Sequence, residues 1–238
     1  MKALIIIPTY NEAENIENLI KEIFNLKIQD VELSVLVVDD NSQDGTSEIV
    51  EKLMKENKNI FLIKRERKSG LGSAYIRGFK YALEKNFDFA FEMDADFSHK
   101  PSYIPDFLNE IKNNDLVLGS RYIEEGGISN WGIIRRFISR VGNIYAKLIL
   151  GIPVNDLTGG FKCFRSSVLR NLELDRISSD GYCFQIEVNY LCYRKGFKIK
   201  EIPIMFQERE KGKSKISKRI IWEAIWKVWS IKIASFFN

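Results

Sequence analysis

"KALIIIPTYNEAENIENLIKEIFNL", residues 2–26, changes its periodicity at Pro8. Before the proline the apolar residues are consecutive and largely β-branched. A strand buried on both faces reads this way. Beyond it they recur at Ile16, Leu19, Ile20, Ile23 and Phe24, which is helical spacing. Asn11 is the expected cap, with acidic residues in the first turn. A strand, a polar loop and a helix are therefore expected in that order.

The unit then repeats. "ELSVLVVDD" (32–40) is a second buried strand, and "NSQDGTSEIVEKLM" (41–54) a turn at Asp44-Gly45 followed by a helix. "NIFLIKRE" (59–66) and "GLGSAYIRGFKYALEKN" (70–86) are the third pair. "FDFAFEMDAD" (87–96) is a fourth strand, and a helix begins near Pro101. "DLVLGSRY" (115–122) is a fifth strand. Such alternation predicts an α/β fold with a mostly parallel sheet flanked by helices. Such sheets bind ligands outside the carboxyl ends of their strands. Polar clusters fall there after four strands: Pro8–Glu12, Asp39-Asp40, Lys68–Gly72 and Asp94–Ser98.

The second half is less regular. "WGIIRRFISRVGNIYAKLILG" (131–151) reads as an amphipathic helix, basic on one face and apolar on the other. "DLTGGFKCFRSSVL" (156–169) holds a Gly-Gly turn between short segments. "SSDGYCFQIEVNYLCYRKGF" (178–197) is a loop and helix, and "KIKEIPIMF" (198–206) reads as one strand. "QEREKGKSKISK" (207–218) is a charged loop, and a helix follows over the last twenty residues. We read residues 1–218 as a catalytic domain and 219–238 as an amphipathic C-terminal helix.

Composition narrows the classes. The chain has 238 residues, 45% hydrophobic and 29% charged, with a formal net charge of +4. That suits one globular domain with an anionic ligand. Its basic residues are dispersed among acids, which argues against nucleic acid. Cys163, Cys183 and Cys192 are odd in number and lack CxxC spacing, so they read as reduced structural thiols of an intracellular protein. A single histidine, His99, excludes a His-rich metal site. No secretory signal pattern is evident, and no window reaches about 18 uncharged apolar residues, so no spanning helix is expected.

Asp94 and Asp96 pose the chemical question. Two residues apart on a strand they would share a face. Like charges side by side call for a cation between them. Carboxylate oxygens suit hard divalent ions, and Mg²⁺ is commonly completed by substrate phosphates. Asp96 is the expected metal ligand, with Asp94 closing the nucleotide site. The bland alternative is a pair of surface carboxylates at the start of the helix near Pro101.

The order of these motifs resembles the inverting family 2 glycosyltransferases of the GT-A fold, and among them the polyprenol-phosphate (dolichol-phosphate) mannose synthases. The resembling stretches are "IIIPTYNEAENI", "VVDDNSQDGT", "GLGSAYIRGF", "DADFSHKPSYIP", "GSRY", "DLTGGFKCFR", "SDGYCFQIE" and "EIPIMFQEREKGKSK". The resemblance implies a GDP-mannose donor, a polyprenyl or dolichyl phosphate acceptor, and Mg²⁺ or Mn²⁺. It implies that Pro8, Tyr10 and Glu12 line the base and ribose pocket, and that Asp39 and the Val37 backbone contact base or ribose. Asp94, Ala95 and Asp96 would meet the nucleotide, with Asp96 on the metal. Ser98 stands where some relatives carry Gln, so any role on the metal would run through water. Arg121, Arg209 and Lys215 would meet phosphates, the last two from a lid over the diphosphate. Arg121 and Arg135 would hold the acceptor phosphate for attack, and His99 would act by position alone.

A polyprenyl acceptor lives in a bilayer. The resemblance therefore implies a peripheral protein on the cytoplasmic face of a membrane, touching lipid directly or through a small membrane subunit. Trp222, Ile225, Trp226 and Trp229 crowd one side of the last helix, and Trp favours membrane interfaces. That side suits lipid or the domain's own core. A family 2 transferase using UDP-glucose or another UDP-sugar remains the alternative, although "DADFSHKP" favours the mannose type over the glucosyl "DLQDPP". "SGLGSAYIRG" lacks the GxGxxG of a dinucleotide-binding oxidoreductase. A non-catalytic nucleotide-binding module is the third alternative.

Overall fold

The structure is a computed structural model that describes residues 1–207 and 218–234, with side chains described to 207 and from 226 onward. The first half alternates as expected: β1 (Lys2–Thr9), α1 (Ile16–Phe24), β2 (Glu32–Asp39), α2 (Thr46–Glu56), β3 (Ile60–Lys64), α3 (Leu71–Glu84) and β4 (Phe89–Glu92). Then come α4 (Ile104–Glu110), β5 (Leu116–Ser120), β6 (Gly127–Ser129), α5 (Ile133–Leu150), β7 (Lys162–Arg165) and α6 (Ser166–Asn171). The chain continues through α7 (Gly181–Arg194), β8 (Ile199–Pro203), β9 (Met205–Gln207) and α8 (Lys218–Ala234).

Seven strands form one sheet in the order β3-β2-β1-β4-β7-β5-β8. β1 to β4 are mutually parallel where they pair, and β5 pairs parallel with β8. β7 runs antiparallel to both its neighbours, β4 and β5. The "GGFKCFR" segment is thus a central strand of the sheet. The expected strand over 198–206 is two strands. Pro203 ends β8, and β9 leaves to pair with β6 in a small second sheet. Proline donates no ladder hydrogen bond, which marks the break.

The pleat of β1 divides the core. Ala3, Ile5 and Ile7 meet α1, α2 and α4 on one face of the sheet. Leu4 and Ile6 meet α3, α6, α7 and α8 on the other. α3 lies close because Gly78 has no side chain: a Cβ there would stand 2.4 Å from Ile6 Cγ2. Overpacking costs about 1–3 kcal/mol, more than the ~1 kcal/mol that alanine gains over glycine in a helix. Gly78→Ala is therefore expected to lower the urea midpoint without changing the slope of the transition. An unchanged midpoint would show that Ile6 yields freely.

α8 packs on the domain by one face, one of the two readings left open for it. Val228 and Ile231 are buried in the same core cluster as α3 and α7, while Trp226, Trp229 and Ile233 are exposed. One face therefore packs inward and the opposite face carries unburied apolar surface. α5 turns only Asn143, Ala146 and Leu150 fully inward. Its large apolar residues face out, with Ile133 86%, Ile134 77%, Phe137 68% and Leu148 75% exposed. Arg136 and Arg140 are exposed among them, so the helix has no separate basic face. Among the described residues no helix is long and apolar enough to cross a membrane.

Candidate active site

The polar loops that follow β1, β2, β3 and β4 leave the same edge of the sheet and are tied to one another. Thr9 Oγ1 donates to Asp39 Oδ1 at 2.8 Å. Asn11 N–H donates to Ser42 Oγ at 2.8 Å, and Asn11 Oδ1 accepts from Gln43 N–H at 3.0 Å. Asn11 is therefore a bridge between loops, with a left-handed φ of +58°. The residue ahead of α1 is Asn15. Asp40 holds Arg65 at 2.7 Å and accepts from Ser69 N–H at 3.2 Å. This fixes the loop that places the Lys68 ammonium 3.6 Å from the centre of the exposed Tyr10 ring. Asp180, at the start of α7, accepts from Gly72 N–H at 2.7 Å and so caps α3. Gly70, at φ +95°, leaves room for that carboxylate.

Val37 is fully buried inside β2, paired with Ile7 and Leu62 on either side. The strand continues to Asp39, which moves the polar edge two residues on. Asp39 is 1% exposed, and both its oxygens are engaged by Thr9, Ser42 and Ser47. It organises the loops first, and a ribose contact would have to displace one of these donors. Pro8 and Glu12 are half-buried on the same edge, and Glu12 Oε2 accepts from Asn15.

Asp94 and Asp96 do not lie on a strand, because β4 ends at Glu92. A turn through Phe97, at φ +59°, brings them together instead. His99 Nδ1 accepts the Asp94 backbone N–H at 3.0 Å, and Asp96 Oδ1 accepts the Ser98 N–H at 3.1 Å. Tyr75 donates its hydroxyl to Asp94 Oδ1 at 3.3 Å. Burial, then the Asp94 charge, pushes the Tyr75 phenol well above its usual range, so it stays a donor. His99 is 2% exposed and stacks on Phe161 with ring centres 5.0 Å apart. Burial lowers its pKa despite Asp94, and the ring is neutral. With Nδ1 already accepting, its proton is on Nε2 and no lone pair remains to act as a base.

Asp94, Asp96, Ser98 and His99 line a small cleft of about 70 Å³, together with Arg121, Trp131, Arg135, Tyr182 and Phe206. Ala95, between the two aspartates, is buried. The Ser98 hydroxyl and the Trp131 indole N–H are buried with no hydrogen-bond partner among the described residues. Buried polar groups are ordinarily satisfied, so both fit a ligand. Hard carboxylate oxygens beside a buried hydroxyl suit Mg²⁺ or Mn²⁺. No cluster of three metal-binding acids, cysteines or histidines occurs among the described residues. A divalent ion here would draw further ligands from substrate phosphate or water.

Arg121 lies in the cleft but its charge is already matched. Its Nε and Nη2 donate to Asp156 at 2.7 Å each, its backbone N–H donates at 3.0 Å, and Nη2 reaches Thr158 at 2.8 Å. Burial alone would raise the Asp156 carboxyl, but the guanidinium outweighs it and holds the acid below its ordinary value. Glu201 fixes the same turn by accepting the Asn155 and Asp156 N–H groups. Asp156 is the principal residue that sequence reasoning passed over. It stands in the quoted "DLTGG", where an acid in a loop gives no sign of its buried partner. Arg135 lies over Trp131, 3.9 Å from the ring centre. Arg209 and Lys215 lie outside the described residues.

Behind the cleft, Glu92 and Lys162 are fully buried 3.5 Å apart, and Lys162 also donates to Gln185. Burial pushes the Glu92 carboxyl from 4.5 up to about 7, although Lys162 opposes it. The unfolded chain therefore ionises this group first. The protonated acid's contribution is complete below about 4.5 and is lost as pH rises to about 7. Urea unfolding across that window is expected to show this loss in the native protein and not in Glu92→Gln. Equal slopes in both would contradict it.

A mostly parallel sheet thus presents Asp94 and Asp96, with Arg121 and Arg135, to one cleft beyond the carboxyl end of β4. The sequence pattern described as "Glycosyl transferase family 2" matches residues 4–173, and the chain belongs to that family. It is 42% identical over 225 residues to an undecaprenyl-phosphate mannosyltransferase of Micrococcus luteus, covering 94% of this chain and 91% of that one. It is 38% identical over 235 residues to a polyprenol monophosphomannose synthase of Mycolicibacterium smegmatis, covering 97% and 88%. Among solved structures, glucosyl-3-phosphoglycerate synthase of Mycobacterium tuberculosis with phosphoglyceric acid matches at TM-score 0.71 and 17% identity, covering 97% of this chain and 79% of that one. The same synthase with Mn²⁺, UDP and its glucosylated product matches at TM-score 0.69 and 17% identity, over 98% and 79%. At that identity the likeness establishes the fold, which is GT-A.

Proposed function

We propose that this chain transfers mannose from GDP-mannose to a polyprenyl monophosphate, with inversion, giving a β-linked polyprenyl phosphomannose. The observation that carries the reading is one cleft that brings Asp94 and Asp96 together with Arg121, Arg135 and the unpartnered Trp131 N–H. The acceptor is already an anion and needs no strong base. His99 has no lone pair to offer in its observed hydrogen bonding, so its part is to hold Asp94 in place. Catalysis is then positioning and charge neutralisation.

Asp96 and Ser98 would hold Mg²⁺ or Mn²⁺ against the donor diphosphate, with Asp94 beside them. When bound, the ion supplies positive charge for the departing nucleoside diphosphate. Tyr10 and Glu12 flank the base and ribose, with Pro8 beneath. Arg135 and the Trp131 N–H take the acceptor phosphate, and Arg121 braces the wall between the two substrates. Arg209 and Lys215 are assigned to the diphosphate on the family resemblance alone. The exposed apolar stripe of α5 and the outer face of α8 support peripheral contact with a membrane.

A transfer assay with purified protein, a short polyprenyl phosphate and Mg²⁺ or Mn²⁺ tests the reading. GDP-mannose is compared with UDP-glucose and UDP-GlcNAc. Mannosyl lipid formed from GDP-mannose alone is the expected result. Product from a UDP-sugar instead would overturn the donor and leave the fold and cleft chemistry standing.

A further inference from the structure

The cleft wall holds a glycine that the fold does not call for. Gly159 and Gly160 stand just ahead of β7 in "DLTGGF". A Cβ at Gly159 would lie 3.1 Å from the Gly119 carbonyl oxygen, so the first glycine lets two backbones approach closely. Gly160 is different. Its backbone is not left-handed, and a Cβ there would meet its neighbours only at ordinary contact distances. Alanine would fit, yet the space is left open, and Gly160 lines the cleft with Asp94 and His99.

The surroundings of that space define what would fill it. From the position of the missing Cβ, His99 Cε1 lies 3.4 Å away, Gln185 Nε2 3.5 Å and Asp94 Oδ1 3.8 Å. Gln185 belongs to α7 and is 2% exposed. Its Oε1 accepts from Lys162, which fixes the amide. Its Nε2 is buried with no hydrogen-bond partner among the described residues. An amide nitrogen carries two protons, so one can serve the cleft even with Glu92 close by. A donor and an acceptor therefore face one small gap. The Asp94 charge disfavours an anion there, and the Gln185 N–H disfavours a cation. The neutral His99 ring contributes only a C–H edge. A hydroxyl donates and accepts at once, so it satisfies both groups.

We propose that this gap receives one hydroxyl of the donor's hexose, donating to Asp94 and accepting from Gln185, so that Gly160 and Gln185 select the sugar. The proposal rests on the mannosyltransferase reading above and adds to it the residues that recognise the transferred group. The same cleft carries Asp94 and Asp96 on the donor's side of that reading and Arg135 on the acceptor's. A hexose passing from one substrate to the other stays within reach of the gap.

The test fills the gap and removes hydroxyls in turn. Gly160→Ala is compared with wild type on GDP-mannose and on its monodeoxy analogues, one sugar hydroxyl removed at a time, with a short polyprenyl phosphate as acceptor. The variant is expected to keep the wild-type Tm and affinity for GDP. Its kcat/KM on GDP-mannose is expected to fall by about 10-fold or more, the scale of a lost hydrogen bond to a charged group. Wild type is expected to lose a similar factor on one deoxy donor. On that donor Gly160→Ala should lose little further, because the hydroxyl it excludes is already gone. Full kcat/KM in the variant, an equal loss by the variant on every donor, or a wild type that uses every deoxy donor as well as GDP-mannose would overturn the subsite and spare the mannosyltransferase reading. A large fall in Tm would show that the space is not open and overturn the subsite too. No transfer from GDP-mannose by the wild type would overturn that reading, and the subsite with it.

Discussion

Asp156→Ala is expected to destabilise the protein by about 3–5 kcal/mol, because it leaves the Arg121 guanidinium buried without its counter-charge. In a chain of this size that lowers Tm by about 10 °C. The effect should be largely pairwise. Arg121 and Asp156 are 4% and 0% exposed at the side chain and joined at 2.7 Å. The double variant Arg121→Ala/Asp156→Ala is therefore expected to lose less than the sum of the single changes. Thermal unfolding of the four proteins measures the coupling. Strict additivity would contradict a pair that acts as one unit. Asp156→Asn keeps an acceptor and should fall between wild type and alanine. In each variant that folds, kcat/KM should also fall, because Arg121 walls the cleft.

Asp96→Ala is expected to behave in the opposite way, folding normally and losing turnover by about 10²–10³-fold or more. Its carboxylate accepts the Ser98 N–H in a half-buried loop and belongs to neither core cluster. Asp94→Asn should lose activity less selectively, since Asp94 also accepts from Tyr75 and lies beside His99. Rates at saturating donor, together with melting curves, separate the two. An Asp96→Ala enzyme with full turnover would remove the metal assignment.

The strands of the first half were legible because β-branched runs such as "ALIII" and "SVLVV" have one structural reading when polar loops bound them. The position of the ligand edge followed from the parallel order alone. β7 was less legible: four residues carry no periodicity, and only pairing with β4 and β5 makes "KCFR" a strand. α5 shows the limit of amphipathicity. The pattern predicts two faces but not which one meets the core, and here Asn143 and Ala146 face in while Phe137 and Leu148 face out. The site divides similarly. Asp94, Asp96, Ser98, Arg121 and Arg135 were named from motif order and converge on one cleft. Trp131 and Asp156 were missed because their meaning lies in burial, which a linear string does not carry. Arg121 was named for its charge, and the structure gives that charge a partner distant in sequence.

The most direct test of the cleft as the donor site is calorimetric binding of GDP with and without Mg²⁺ or Mn²⁺, in the wild type and in Asp96→Asn. The account predicts that the cation tightens GDP binding to the wild type by about 10-fold or more, and that the variant loses this enhancement. The same cation-linked tightening in both proteins would place the metal elsewhere and contradict the account.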